Sequence, residues 1–300
     1  MQALNHILVP SDFSRYADNA SMHAVMLARQ YDAKITLLHV VTVHDEDPYN
    51  PAQNFPHIEE YYAHMEQSAG ENLAASAKKD PLAGLNIERV ILRGYSPSET
   101  ICNYAEKHNV DLIAMGTHGR QALAHFFLGS VAEKVVHNAP CPVLTTKIKD
   151  DGGLNVVNSY KRLLVPIDFS EQSQQALDFA IQLMPNNGKL DIVHVIEAEI
   201  HPAYYAADET SLFDFMPHLQ QQTTESLQKI AQERVPDHLE TDFIVLEGSI
   251  ARNLADYAED NEVDAVVMGT HGNNALEQIL VGSVANRLIR KAHCPVITVK

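Results

Sequence analysis

Two short stretches carry the residue types and spacing that can do chemistry. Gly116-Thr117-His118-Gly119 is followed, after nine residues, by Gly129-Ser130, and Gly269-Thr270-His271-Gly272 is followed, after nine residues, by Gly282-Ser283. Glycines at a strand end let the backbone approach a ligand closely and take positive φ. A serine opening a helix can cap it, and the N–H groups there bind anions. Read together, the pattern describes a phosphate cradle, present twice. Each half alone is common loop chemistry, and a duplicated structural loop would give the same pattern; the fixed spacing and the repetition favour a ligand. No Gly-Lys-Ser/Thr follows either glycine pair, which excludes a Walker A loop, and the Gly-x-Gly-x-x-Gly of dinucleotide folds is also missing.

These residues need elements to hold them. An apolar run precedes each stretch, Asp111-Leu112-Ile113-Ala114-Met115 and Asp264-Ala265-Val266-Val267-Met268, and reads as a buried parallel strand. A helical stretch follows each Gly-Ser, Val131 to His137 and Val284 to Lys291. The repetition extends much further. Ile7-Leu-Val-Pro-Ser-Asp-Phe-Ser14 returns as Leu163-Leu-Val-Pro-Ile-Asp-Phe-Ser170, and Leu38-His39-Val40 as Val193-His194-Val195. Each copy is long enough to be a domain and alternates strand with helix: strands at 5–9, 34–41, 86–92, 111–115 and 143–147, with helices from Ser14 to Tyr31, at 57–79 and at 97–108. Copy two repeats this order, from a strand at 162–165 to one at 296–300. Such alternation predicts parallel sheets with right-handed crossovers, which bind ligands outside the carboxyl ends of their strands. Two α/β domains are expected, 1–147 and 161–300, joined by a linker at 148–160 that contains Lys-Asp-Asp-Gly-Gly.

Composition limits the function. The chain has 300 residues, 45% hydrophobic and 20% charged, with a net charge of −17. An acidic surface repels nucleic acid and anionic membranes, so neither is an expected partner, and any phosphate must be held by local N–H groups and helix ends. No apolar run nears the roughly 20 residues of a membrane span. The first six residues show neither a basic segment nor an apolar signal core, and a cytoplasmic location is expected. Cys141 and Cys294 each precede a proline and, with Cys102, read as small packed apolar groups.

The doubled Gly-x-x-Gly, nine residues, Gly-Ser, with its strand before and its Cys-Pro-Val strand after (Cys141-Pro142-Val143, Cys294-Pro295-Val296), resembles the nucleotide-binding signature of the universal stress protein family. The resemblance covers nearly the whole chain as two tandem copies. It implies two doubly wound five-stranded parallel-sheet domains, Rossmann-like and akin to adenine nucleotide alpha hydrolases, related by a pseudo-two-fold. It implies a site in each copy for ATP, ADP or AMP, with Mg as a possible companion of the phosphates. The matching positions in copy one are Pro10, Asp12, Val40, Met115, Gly116, Gly119, Arg120, Gly129, Ser130 and Val131. Those in copy two are Pro166, Asp168, Val195, Met268, Gly269, Gly272, Asn273, Gly282, Ser283 and Val284. Asp12 and Asp168 would lie by the adenosine, the Val40 and Val195 backbones at the adenine edge, and Met115 and Met268 under the base. Spacing alone leaves the two aspartates equally readable as turn or cap residues. Family members also pair the final strands of two domains; 143–147 and 296–300 could do so within this chain as a pseudo-dimer, with a further homodimer possible.

Other positions stay open. His39 and His194 lie inside apolar strands and read as satisfied core histidines. His118 and His271 either contact phosphate or line the loop, and Arg120 either pairs with phosphate or is solvated. Ala132 and Ala285 stand where the family often offers a second hydroxyl, which weakens the expected hold on an outer phosphate. The stretches 42–56 and 197–216 and the residues just after them hold His44, Asp45, Glu46, Asp47, His57, His201, Tyr204, Tyr205, Asp208 and His218, too irregularly spaced for a metal site, and the stretches read as lids. No catalytic residue is identified. The expected function is a nucleotide-dependent stress-response or regulatory protein; the alternatives are a slow ATP hydrolase and an adaptor or small-ligand or metal-binding protein without nucleotide.

Overall fold

A computed structural model describes residues 4–44, 57–78, 82, 84–118, 128–148, 153–154, 158–197, 213, 216–270 and 282–300. The chain divides into two compact units, Met1–Val156 and Val157–Lys300. In unit 1 the elements run β1 (His6–Pro10), α1 (Arg15–Tyr31), β2 (Lys34–Thr42), α2 (Ile58–Ala77), β3 (Ile87–Gly94), α3 (Pro97–Lys107), β4 (Leu112–Gly116), α4 (Ser130–Asn138) and β5 (Val143–Thr146). Unit 2 repeats them as β6 (Arg162–Pro166), α5 (Glu171–Leu183), β7 (Lys189–Ile196), α6 (Pro217–Arg234), β8 (Glu240–Glu247), α7 (Ile250–Asp260), β9 (Ala265–Gly269), α8 (Ser283–Lys291) and β10 (Val296–Val299).

Each unit builds a parallel sheet, in the order β3-β2-β1-β4-β5 and, correspondingly, β8-β7-β6-β9-β10. The strand order reverses between β1 and β4 and between β6 and β9, which opens a crevice at their carboxyl ends. The central strands are apolar on both faces because helices cover both: Ile7, Leu8, Val9, Leu112, Ile113 and Ala114 are all fully buried. β3 extends beyond the expected residue 92 to Gly94, since its ladder with β2 continues to the pair Thr42 and Gly94. A carboxylate pins each central pair of strands. Asp111 Oδ2 accepts from the Asn5 and His6 amides (2.8 and 2.9 Å), and Asp264 Oδ2 from the Lys161 and Arg162 amides (2.7 and 2.8 Å).

The first helix of each unit starts as the residue types dictate. Ser14 Oγ accepts from the Ala17 amide (3.3 Å), and Ser170 Oγ from the Ser173 amide (3.2 Å). Small residues on the inner face of α1, Ala17, Ala20, Ala24 and Ala28, let it lie close on the sheet. At the amino edge of unit 2 a charge is buried. Asp191 is fully enclosed in β7, and its Oδ2 accepts from Arg162 Nε at 2.7 Å. Burial raises the Asp191 carboxyl above its ordinary value, and the Arg162 guanidinium works against that rise. Unit 1 buries an uncharged side chain at the same edge: Thr36 is buried there, His6 Nε2 lies 2.8 Å from its hydroxyl, and that hydroxyl donates to Glu88 Oε2 at 3.2 Å, so that the charge stays on the partly exposed Glu88.

Candidate functional site

The signature glycines end the two central strands, and their surroundings explain why they are glycine. A Cβ on Gly116 would sit 2.6 Å from Tyr16 Cβ and 2.8 Å from the Tyr16 carbonyl carbon. A Cβ on Gly269 would sit 3.1 Å from Gln172 Cβ. Gly116 is therefore demanded by the first helix of its unit lying on the strand end, whereas at Gly269 the same helix leaves a tight fit rather than a clash. The expectation that signature glycines adopt positive φ is corrected: among the described glycines only Gly84 and Gly248 do so, and Gly129 and Gly282 have φ of −62° and −55°. What those two positions lack is room. A Cβ on either would stand 3.2 Å from the carbonyl oxygen of Thr117 or Thr270.

That threonine carbonyl closes the signature loop. Gly129 N–H donates to Thr117 O and Gly282 N–H to Thr270 O, both at 2.8 Å. The threonines are anchored in turn, the Thr117 amide to Thr146 O (2.9 Å) and the Thr270 amide to Val299 O (2.8 Å). The glycine amides are thus spent inside the protein. Gly129 and Gly282 hold the cap position, and Ser130 and Ser283 are the first helical residues, with no side-chain cap bond at either helix. This corrects the expectation of serine as cap. The first helix-closing bonds come from the Glu133 and Asn286 amides. The amides of residues 130–132 and 283–285 consequently have no partner within their helices, and an anion at such a helix start would meet them.

In unit 2 these groups border a cavity of about 600 Å³ at the carboxyl ends of β6, β7 and β9. Its wall includes Pro166, Asp168 and Val195 on one side and Met268, Gly269, Gly282, Ser283 and Val284 on the other. Every expected copy-two residue that the structure describes lines this one space. Gly272 and Asn273, like Gly119, Arg120 and His271, lie outside the described residues, as do 45–56 and 198–212 of the expected lids. The copy-one residues Pro10, Asp12, Val40, Met115, Gly116, Gly129, Ser130 and Val131 occupy the corresponding places on β1, β2, β4 and α4 and the turns that follow them.

The aspartates act as turn residues. Asp12 Oδ1 accepts from the Ser14 amide (3.1 Å), and Asp168 Oδ1 accepts from both the Ser170 amide (3.0 Å) and hydroxyl (2.5 Å). The residue between them is held in a left-handed conformation in both copies, Phe13 at φ 64° and Phe169 at φ 65°. A bulky side chain there costs on the order of 1–3 kcal/mol. Each phenylalanine ring rests against a histidine: Phe13 on His39 with centroids 4.6 Å apart, Phe169 on His194 at 4.9 Å. His39 Nδ1 lies 2.7 Å from Ser11 O, and His194 Nδ1 lies 2.6 Å from Ile167 O. Since a carbonyl only accepts, each Nδ1 carries the proton. The histidines are satisfied as expected, but His194 is only half-buried and stands in the cavity wall.

Sequence reasoning missed Thr270, Ser249, Glu197 and Arg287, which also line the cavity. Two of these had a readable signal. Arg287 lies four residues after Ser283, on the same helix face, and Glu197 lies two residues after Val195 along the strand direction. Copy one places Lys134 and Thr42 at the matching positions. The helices differ too. α3 and α4 carry Glu99 and Glu133 in their first turns, whereas α7 and α8 have no acid there. Ser96 caps α3 by accepting from the Glu99 amide, but Ser249 makes no such bond. Two helix N-termini, each favouring negative charge by about 0.3–1 kcal/mol, therefore face the unit-2 cavity without an internal counter-charge in their first turns.

A doubly wound Rossmann-like sheet with helix N-termini gathered at its switch point defines a class of anion-facing α/β proteins. The profile of the universal stress protein family matches residues 3–147 and again residues 159–300, and the chain belongs to that family as a tandem member. It is 27% identical to universal stress protein Rv2005c of Mycobacterium tuberculosis over 304 aligned residues, covering 98% of this chain and 96% of that protein. It is 35% identical to universal stress protein MJ0531 of Methanocaldococcus jannaschii over 144 residues, covering 47% of this chain and 81% of the relative. The crystal structure of a universal stress protein from Archaeoglobus fulgidus superposes with a TM-score of 0.71 at 23% identity, covering 99% of this chain and 96% of the other, and shares the fold. No described helix is long and apolar enough to cross a membrane.

Proposed function

We propose that this tandem universal stress protein binds an adenine nucleotide, ATP, ADP or AMP, at the strand ends of its units and acts in the cytoplasm through ligand-dependent conformation or partner contact. The observation that carries this is the convergence, in one cavity of unit 2, of the residues singled out by the doubled motif. The base would lie over Met268 and against the Val195 backbone, and the phosphates on the free amides of residues 283–285. Arg287 adds a cation at the same helix, so that a chain of net charge −17 offers a locally positive corner. A Mg ion, where present, would ride on the phosphates and supply charge neutralisation there; the chain's own part is to orient and desolvate the nucleotide.

The test is direct. Nucleotide released from the purified protein by denaturation is identified by mass spectrometry, and calorimetry is run with ATP, ADP and AMP. Binding of at least one is expected. No heat with any of them at millimolar concentration would refute the proposal.

A further inference from the structure

One residue in each unit is held where its side chain makes the backbone costly. Phe13 has φ 64° and Phe169 φ 65°, in the left-handed region that a glycine enters freely and a bulky residue seldom enters. Both copies nonetheless carry phenylalanine there, in the matching run Asp-Phe-Ser. Two sets of contacts hold the turn. The aspartate before the ring accepts from the serine amide after it, Asp12 Oδ1 from Ser14 at 3.1 Å and Asp168 Oδ1 from Ser170 at 3.0 Å. The ring lies against the histidine of the neighbouring strand, and that histidine's Nδ1 donates to the carbonyl just before the aspartate, Ser11 O or Ile167 O.

In unit 2 the two side chains that hold the turn and its ring, Asp168 and His194, both line the cavity. Phe169 does not line it and is 37% exposed. The cavity and the exposed ring are therefore joined through Asp168 and His194. A strained turn has a second arrangement open to it, in which φ of residue 169 relaxes to negative values, Ser170 leaves Asp168 and the ring leaves His194. A ligand packed against Asp168 and His194 as they stand binds the strained arrangement better, and only such a differential affinity shifts the balance between the two. We infer that the Asp-Phe-Ser turn of unit 2 is a ligand-coupled switch: a nucleotide in the cavity fixes the strained turn and seats the Phe169 ring on His194, and an empty cavity lets the turn relax and the ring swing into solvent. The inference rests on the adenine-nucleotide reading given above and supplies its ligand-dependent conformation. Copy one repeats the turn, the histidine and their bonds, so the same coupling is expected at Phe13.

The experiment uses the full chain labelled at the methionine methyls. Met268 lies in the cavity wall, so its methyl resonance, assigned with Met268→Leu, reports occupancy of unit 2 alone. The chain has no tryptophan, so Phe169→Trp introduces a single fluorophore at the turn. Titration with ATP should lower its quenching by acrylamide, with the same midpoint as the Met268 shift. Phe169→Gly and Phe169→Ala then separate strain from ring. Both lack the ring, but glycine takes φ 65° without cost and alanine does not. Backbone strain enters an affinity only if the turn differs between the free and the bound chain. Phe169→Gly should therefore bind ATP, read at the Met268 methyl, roughly tenfold more tightly than Phe169→Ala. Equal affinities in these two variants, or unchanged acrylamide quenching while the Met268 methyl moves, would overturn the switch and leave nucleotide binding in place. Failure of ATP, ADP and AMP alike to move that methyl would overturn the adenine-nucleotide reading and this inference with it.

Discussion

Replacing Arg162 by methionine isolates the buried charge of unit 2. Arg162 Nε bonds Asp191 Oδ2 at 2.7 Å, Nη1 donates to Asn261 O at 2.7 Å, and Nη2 donates to Asn261 Oδ1 at 3.2 Å. Asp191 is fully buried, and its Oδ1 has no partner among the described residues. Removing the cation leaves that carboxylate uncompensated, at a cost of about 3–5 kcal/mol. The cost depends on pH with a definite sign. The Asp191 carboxyl is already raised by burial, with Arg162 opposing the rise, so Arg162→Met raises it further. A carboxyl whose folded value is raised favours the folded state most when protonated, and that contribution is lost as pH rises through the folded value. The variant should therefore be most destabilised at neutral pH and recover as pH falls. Hydrogen exchange of the β7 amides in the full chain, at about pH 5 and about pH 7.5, measures both effects once corrected for intrinsic rates. A double variant, Arg162→His with Asp191→Thr, installs the side chains that unit 1 uses at His6 and Thr36, with Asp242 standing beside the new threonine where Glu88 stands beside Thr36, and should regain most of the loss. A cost below about 1 kcal/mol, or one that is the same at both pH values, would refute the account of the pair.

Gly116→Ala should destabilise unit 1 by about 1–3 kcal/mol, because its Cβ would lie 2.6 Å from Tyr16 Cβ and push α1 off β4; thermal unfolding indistinguishable from the parent would contradict this. Gly282→Val, with a Cβ 3.2 Å from Thr270 O, should both shift the cap and cover the free amides of α8. Losing two charge-assisted contacts weakens nucleotide binding at the Met268-reported site about a hundredfold. Parental affinity in a variant still folded by circular dichroism would place the cradle elsewhere.

The elements and their duplication were legible in the sequence because their causes are local. Apolar runs such as Leu112-Ile113-Ala114-Met115 have one solution in an α/β chain, a strand buried on both faces. Ser14 and Ser170 cap their helices through bonds to amides three residues away, so no distant part of the chain is needed to predict them. The spacing of the glycines was likewise visible, and so was the family. Their purpose was not. Gly116 is glycine because Tyr16 packs on it, and Gly129 because the Thr117 carbonyl crowds it; both neighbours are set by how the chain returns on itself. Glu197, Ser249 and Arg287 come from three different elements and meet only because the strand order places β6 between β7 and β9 and packs α7 beside α8. Asp191 sits in a strand that reads as apolar, and its tolerance depends on Arg162 from the adjacent strand. Hydrophobic periodicity and capping follow from bonds a few residues long, whereas a shared cavity and a buried ion pair depend on distances between residues far apart in the chain, which only the packed sheet determines.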